Sequence, residues 1–107
     1  MKTIYDLNMI ENIIHTKKFV LLYFSSKECP VCQSFGVKLE ELLKNYPEID
    51  CCRIDMDKRP QASGKFGIFA LPGLLAYVHG KETIRESMRV SIKELDIKLD
   101  RYYKMIF

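Results

Sequence analysis

Phe19-Val20-Leu21-Leu22-Tyr23-Phe24 is the longest unbroken apolar run in the chain. A run this short and this aromatic predicts a strand buried on both faces. Before it, Leu7, Ile10 and Ile14 recur at steps of three and four, which predicts a helix over residues 6–15 with Asp6 as its cap. After it, Ser25 to Cys29 reads as a loop. Pro30 suits the first turn of a helix, where a missing N–H is not needed. Cys32, Phe35, Leu39, Leu42 and Tyr46 share one face of that helix. It should run to about Asn45 and end at Tyr46-Pro47.

The second half alternates more quickly. Ile49 to Met56 predicts a strand. Asp57 to Phe66 holds Pro60 and Gly64 and leaves room for a short helix at most. Leu74 to Val78 predicts a third strand, His79-Gly80 a tight turn, and Thr83 to Met88 an edge strand of mixed polarity. Ser91-Ile92-Lys93-Glu94 matches a capping box. Ile92, Leu95, Leu99, Tyr102 and Ile106 stripe the helix that follows. The order is α, β, α, β, short α, β, β, α. Strand–helix–strand segments imply parallel neighbours, and the last two strands form an antiparallel hairpin. The predicted product is a mixed sheet with helices on both faces.

Length and charge narrow the function. A chain of 107 residues is one domain's worth, so residues 1–107 are read as a single domain. A net charge of +3 is too small to argue for nucleic acid or a membrane surface. No apolar stretch approaches the roughly 20 residues of a membrane helix. Asp6 and Glu11 near the start do not fit a signal peptide. The expectation is a cytoplasmic monomer, with the stripe on the last helix serving as core. Cytosolic thiols are usually reduced, so the four cysteines are not read as structural staples.

Cys29-Pro30-Val31-Cys32 carries the chemistry. It follows a buried strand and opens a helix, which places Cys29 at the N-cap. Unpaired N–H groups and the positive end of the helix dipole favour a thiolate there. Cys32 lies one turn on, on the face of Phe35 and Leu39, and should be buried. That makes Cys29 the nucleophile and Cys32 the resolving thiol. A zinc site would need a second pair of ligands. Only Cys51-Cys52 is available, and neighbouring strand residues point to opposite faces. No metal and no cofactor is expected. Packing is the expected role of Cys51 and Cys52, and a surface position that of His15 and His79.

The chain resembles the thioredoxin family over nearly its full length. The resemblance rests on Cys29-Pro30-Val31-Cys32, on Ile54-Asp55-Met56-Asp57 followed by Pro60, and on Lys65-Phe66-Gly67-Ile68-Phe69-Ala70-Leu71-Pro72, in family order and at family separation. It implies a thioredoxin-like three-layer α/β/α sandwich. The central mixed sheet would have four strands, with room for a short extra N-terminal one. It also implies that Pro72 is the family's cis-proline. The Leu71 backbone would then pair with an extended substrate segment, beside Pro30, Val31 and Gly73.

Some positions depart from the family pattern. Tyr23 stands where the family buries an acid that takes the proton of the resolving thiol. A phenol titrates near 10 and is a poor base at neutral pH. Glu28 replaces the usual tryptophan before the nucleophile, and its charge opposes thiolate formation at Cys29, while Lys27 favours it. Arg53 falls where a buried lysine often faces the acid. With Tyr23 opposite, it should turn to Asp55 or Glu28, or reach solvent. Proline comes first between the cysteines, as in glutaredoxins, but the glutathione-binding Gly-Gly pair of that family is missing. Val37 stands at the family's helix-kinking proline.

The expected function is a thiol–disulfide oxidoreductase acting on protein disulfides and recharged by a reductase or a small thiol. The alternative is a redox-weak module that binds peptide beside Pro72.

Overall fold

The computed structural model describes residues 1–107. In chain order the elements are β1 (Lys2–Thr3), α1 (Leu7–Thr16), β2 (Phe19–Ser25), α2 (Pro30–Leu43), β3 (Asp50–Asp55), α3 (Ala62–Phe66), β4 (Gly73–Val78), β5 (Lys81–Ser87) and α4 (Ile92–Ile106). They build one five-stranded sheet in the order β1-β3-β2-β4-β5. β3 runs parallel to β1 and β2, while β4 is antiparallel to both β2 and β5. The extra N-terminal strand is therefore present. It is only two residues long, and Lys2 and Thr3 pair with Cys52 and Arg53.

β2 sits at the centre, and all seven of its residues are buried. Its alternate side chains feed two cores. Phe19, Leu21 and Tyr23 meet Phe35, Leu39 and Leu42 of α2 and Leu95 and Leu99 of α4. Val20, Leu22 and Phe24 meet Ile10 and Ile14 of α1 and Ala62 and Phe66 of α3. This two-sided demand is why the strand shows no polar alternation.

Local signals set the element ends. Asp6 Oδ1 accepts from the backbone N–H of Asn8 at 2.9 Å and caps α1. Ser91 Oγ accepts from the N–H of Glu94 at 3.2 Å and caps α4. His79 and Gly80 have φ of 50° and 81°, as a two-residue turn between antiparallel strands requires. Most boundaries fall within a residue of the sequence expectation, and two differ by two residues. α2 ends at Leu43, two residues early, because Asn45 and Tyr46 already bond back three residues in a tighter turn. β5 starts at Lys81, two residues early, since the turn lets Lys81 and Glu82 pair at once with Val78 and Tyr77.

Candidate functional site

Cys29 is the N-cap of α2, and Pro30 follows in the first turn. Cys29 Sγ accepts from the backbone N–H of Cys32 at 3.2 Å. The two sulfurs are joined as a disulfide, with Cα atoms 5.2 Å apart. Cys29 is half-buried and Cys32 is only 1% exposed. Pro30 is exposed, and Val31 is 58% exposed despite being apolar.

Beneath the pair lies Tyr23, wholly buried. Its hydroxyl donates to the backbone carbonyl of Cys32. Burial pushes its pKa up to about 12, and the nearby Arg53 charge offsets this only in part. The phenol therefore stays protonated at neutral pH and holds the first turn of α2 as a donor.

Arg53 pairs in register with Tyr23, so both project toward α2. Its guanidinium lies 5.7 Å from the centre of the Tyr23 ring. Its carboxylate partner is neither Asp55 nor Glu28, as expected from sequence, but Glu40, with Nη2 3.8 Å from Oε1. The reason is direction. Arg53 faces α2, and Glu40 lies on that helix one turn beyond Gly36. A Cβ on Gly36 would come within 3.0 Å of Arg53 Nη2, so the missing side chain opens the guanidinium's path. Glu28 is exposed and lies in no ion pair.

Pro72 is buried and follows a cis Leu71–Pro72 bond. Its carbonyl accepts from the Met88 N–H at 2.9 Å. Gly73 pairs with Phe24, so Leu71-Pro72 and the cysteine loop leave the same end of the sheet. Gly73 is forced by a close approach, since a Cβ there would lie 2.6 Å from Ile68 Cγ2. Leu71 is half-buried.

Sequence reasoning gave no role to three residues at this end. Asp57 braces the cysteine loop by accepting from Ser26 Oγ and the Lys27 N–H, both at 2.9 Å, and these bonds hold its carboxyl below the usual range. Phe69 and Met88 are apolar yet 81% and 60% exposed. Phe69 lay inside the Lys65-to-Pro72 motif and Met88 in no motif, and the exposure of either is not legible from composition. Cys51 and Cys52 lie apart from the site. Cys52 packs into the α1/α3 core, whereas half-buried Cys51 faces the α2/α4 core and sits 3.8 Å from Met1 Sδ.

A sulfur pair at a helix start, on a mixed sheet with helices on both faces, defines a CxxC thiol–disulfide oxidoreductase. The thioredoxin family model matches residues 2–100. The chain is 33% identical over 105 residues to a thioredoxin-like protein, YdfQ, of Bacillus subtilis (strain 168), covering 98% of this chain and 94% of that protein. It is 29% identical over 92 residues to thioredoxin H8 of Arabidopsis thaliana, covering 86% and 62%. Among solved structures, oxidised mitochondrial thioredoxin 3 of Saccharomyces cerevisiae superposes with a TM-score of 0.86 over 94% of each chain, at 17% identity. A thioredoxin of Trypanosoma brucei brucei gives 0.87 over 95% and 89%, at 19% identity. The chain belongs to the thioredoxin family, and it is a thiol–disulfide oxidoreductase.

Proposed function

We propose that Cys29 is the nucleophile, Cys32 the resolving thiol, and the substrates disulfide-bearing proteins. The observation that carries this is the unequal exposure of two sulfurs one helical turn apart, with the accessible one facing a helix N–H. In the reduced form the Cys29 thiolate attacks a substrate disulfide and forms a mixed disulfide, releasing one substrate thiolate. Cys32 then attacks Cys29 sulfur, and the second substrate thiolate leaves. Two electrons pass to the substrate, and the protein is left with the Cys29–Cys32 bond. Protonated Tyr23 cannot take the Cys32 proton, so water or the departing thiolate accepts it.

Exposed Val31, Phe69 and Met88 supply apolar contact for a protein substrate. The Leu71 backbone, flanked by Pro72 and Gly73, supplies the edge along which an extended segment lies. Glu28 tunes Cys29 and steers partners through its charge, and Arg53 tunes the same site from below. A reductase or small thiol recharges the protein, which works as one monomeric domain over residues 1–107 in cytoplasmic electron transport and redox homeostasis. No helix is long and apolar enough to cross a membrane.

Limited alkylation of the reduced protein at neutral pH, mapped by mass spectrometry, tests the roles. Cys29 should label first, and preferential labelling of Cys32, Cys51 or Cys52 would overturn the assignment. Insulin reduction with dithiothreitol tests turnover. A rate no faster than dithiothreitol alone would favour the peptide-binding alternative.

A further inference from the structure

A cavity of about 180 Å³ opens beneath the start of α2, on the β3 side of β2, whereas Pro72 lies on the β4 side. That is well above the roughly 10–15 Å³ a single water needs. Its origin is in the register. Tyr23 pairs with Arg53 and Ser25 with Asp55, and all four point to the face that α2 covers. Ser25 ends a strand of large side chains with a small one, and α2 presents Gln33 above it, so the space is not filled.

The lining is polar and partly uncommitted. Lys27 and Arg53 contribute two cations and Asp55 one carboxylate. Asp55 Oδ1 already accepts from the N–H groups of Asp57 and Lys58 at 2.9 and 3.2 Å. Lys27 is in no ion pair, and the Ser25 hydroxyl makes no hydrogen bond to the protein. Arg53 touches Glu40 only at 3.8 Å, and its Nε is buried without any partner. Against the single Asp55 carboxylate, the Lys27 and Arg53 cations leave the lining with one net positive charge, and the Ser25 hydroxyl can donate beside them, so a carboxylate is the complement of this wall.

The cavity also adjoins the nucleophile. The Ser26 carbonyl on its wall accepts from Gln33 Nε2 at 3.0 Å and from the Cys29 N–H at 3.3 Å. Ser26, which lines the cavity, is thus hydrogen-bonded directly to the Cys29 backbone. Resting on the oxidoreductase reading, we infer that this cavity holds the carboxylate of a low-molecular-weight thiol that recharges the protein. One such thiolate attacks Cys29 sulfur, forms a mixed disulfide and releases Cys32 as thiolate. A second attacks the small thiol's sulfur in that mixed disulfide and releases Cys29. The two thiols lose two electrons and leave as their own disulfide, and both protein thiolates take protons from water.

The test compares monothiols of one size and different charge. Oxidised protein is mixed with 3-mercaptopropionate, 2-mercaptoethanol or 2-aminoethanethiol, quenched with alkylating reagent, and read by mass. Rates are divided by each reagent's thiolate fraction. 3-Mercaptopropionate should exceed 2-mercaptoethanol at least about fivefold at low salt, as charge complementarity predicts, with 2-aminoethanethiol slowest. The rate should saturate with 3-mercaptopropionate, and propionate should compete. The ratio should fall toward one in Lys27→Gln or Arg53→Gln. Lys27 is exposed, so its variant keeps the test open if the Arg53 variant does not fold. Equal rates in the natural sequence overturn the inference. So does an advantage that survives both variants, since it then reflects the protein's net charge of +3. Dithiothreitol, a neutral dithiol, is the reference. If it reduces the pair and the monothiols show no preference, only the cavity fails; if it does not, the oxidoreductase reading itself fails.

Discussion

Tyr23 shows how a residue can keep its place and change its part. The side chain fills the site beneath Cys32, yet with a pKa raised to about 12 it keeps its proton and donates a hydrogen bond to the Cys32 carbonyl. If the phenol were the catalytic base, removing it would slow turnover by about 10²–10⁴-fold. The expected result for Tyr23→Phe is a loss of about 1 kcal/mol in denaturant unfolding, from the missing hydrogen bond, with no such drop in insulin reduction. Tyr23→Asp places a carboxylate near Arg53 that can accept the Cys32 proton. It should speed the second step at neutral pH, while the lost aromatic volume costs about 3–5 kcal/mol. A Tyr23→Phe enzyme slowed a hundredfold would make the phenol a participant after all.

Among the elements, those with strong periodicity or clear caps were legible in the sequence. β2 announced itself because both its faces are buried, and α1 and α4 because Asp6 and Ser91 close their first turns. β1 was legible only as room for a strand, since two residues carry no periodicity. At the site, the cysteines and Pro72 lay in a motif, so their places were readable. The Arg53–Glu40 contact was not, because it depends on which face of α2 crosses β3. Nor was the cavity at Ser25, since an unfilled volume is a property of neighbours. Gly73 lies between these cases, a glycine whose reason appears only when Ile68 is placed against it. Gly73→Ala forces Ile68 or the first residues of β4 to move, because a Cβ would also lie 3.3 Å from Phe24 Cβ. Overpacking of this kind costs about 1–3 kcal/mol. Thermal unfolding should show that loss, and insulin reduction should slow with it, because the displaced backbone carries Pro72. A variant as stable and active as the parent would mean the loop before β4 yields freely.

For the molecule as a whole, the titrating groups predict an asymmetric response to pH. Burial raises the pKa of Tyr23 and Cys51 to about 12, and also raises Cys52, Tyr46 and Tyr77. The folded state holds these protons to higher pH than the unfolded chain does. Their stabilisation is thus fully present below the unfolded values, near 9 for the thiols and 10 for the phenols, and is lost as pH rises through the folded ones. The lowered carboxyls of Asp57 and Glu82 work the other way, adding stability above the unfolded value and losing it as pH falls. Both are solvent-facing, and salt screens them. Melting temperature should therefore change little between pH 7 and about 5 and drop steeply from about pH 9 upward. A curve that falls as sharply between pH 7 and about 5 would count against this view of the buried groups.

The central strand also sets where the chain can breathe. β2 is flanked by a strand on each edge and a core on each face, so its amides have no route to solvent short of unfolding the whole. Cys52 pairs with Leu22 of that strand and is buried on the α1/α3 side. Its thiol is thereby a native clock for global opening. In the oxidised protein, where Cys29 and Cys32 are already joined, the slow alkylation of Cys52 should match the slowest hydrogen exchange along β2. Half-buried Cys51 should react sooner, through local opening. The disulfide hangs from the end of the most protected strand, so exchange at Cys29 proceeds while the scaffold beneath it stays shut.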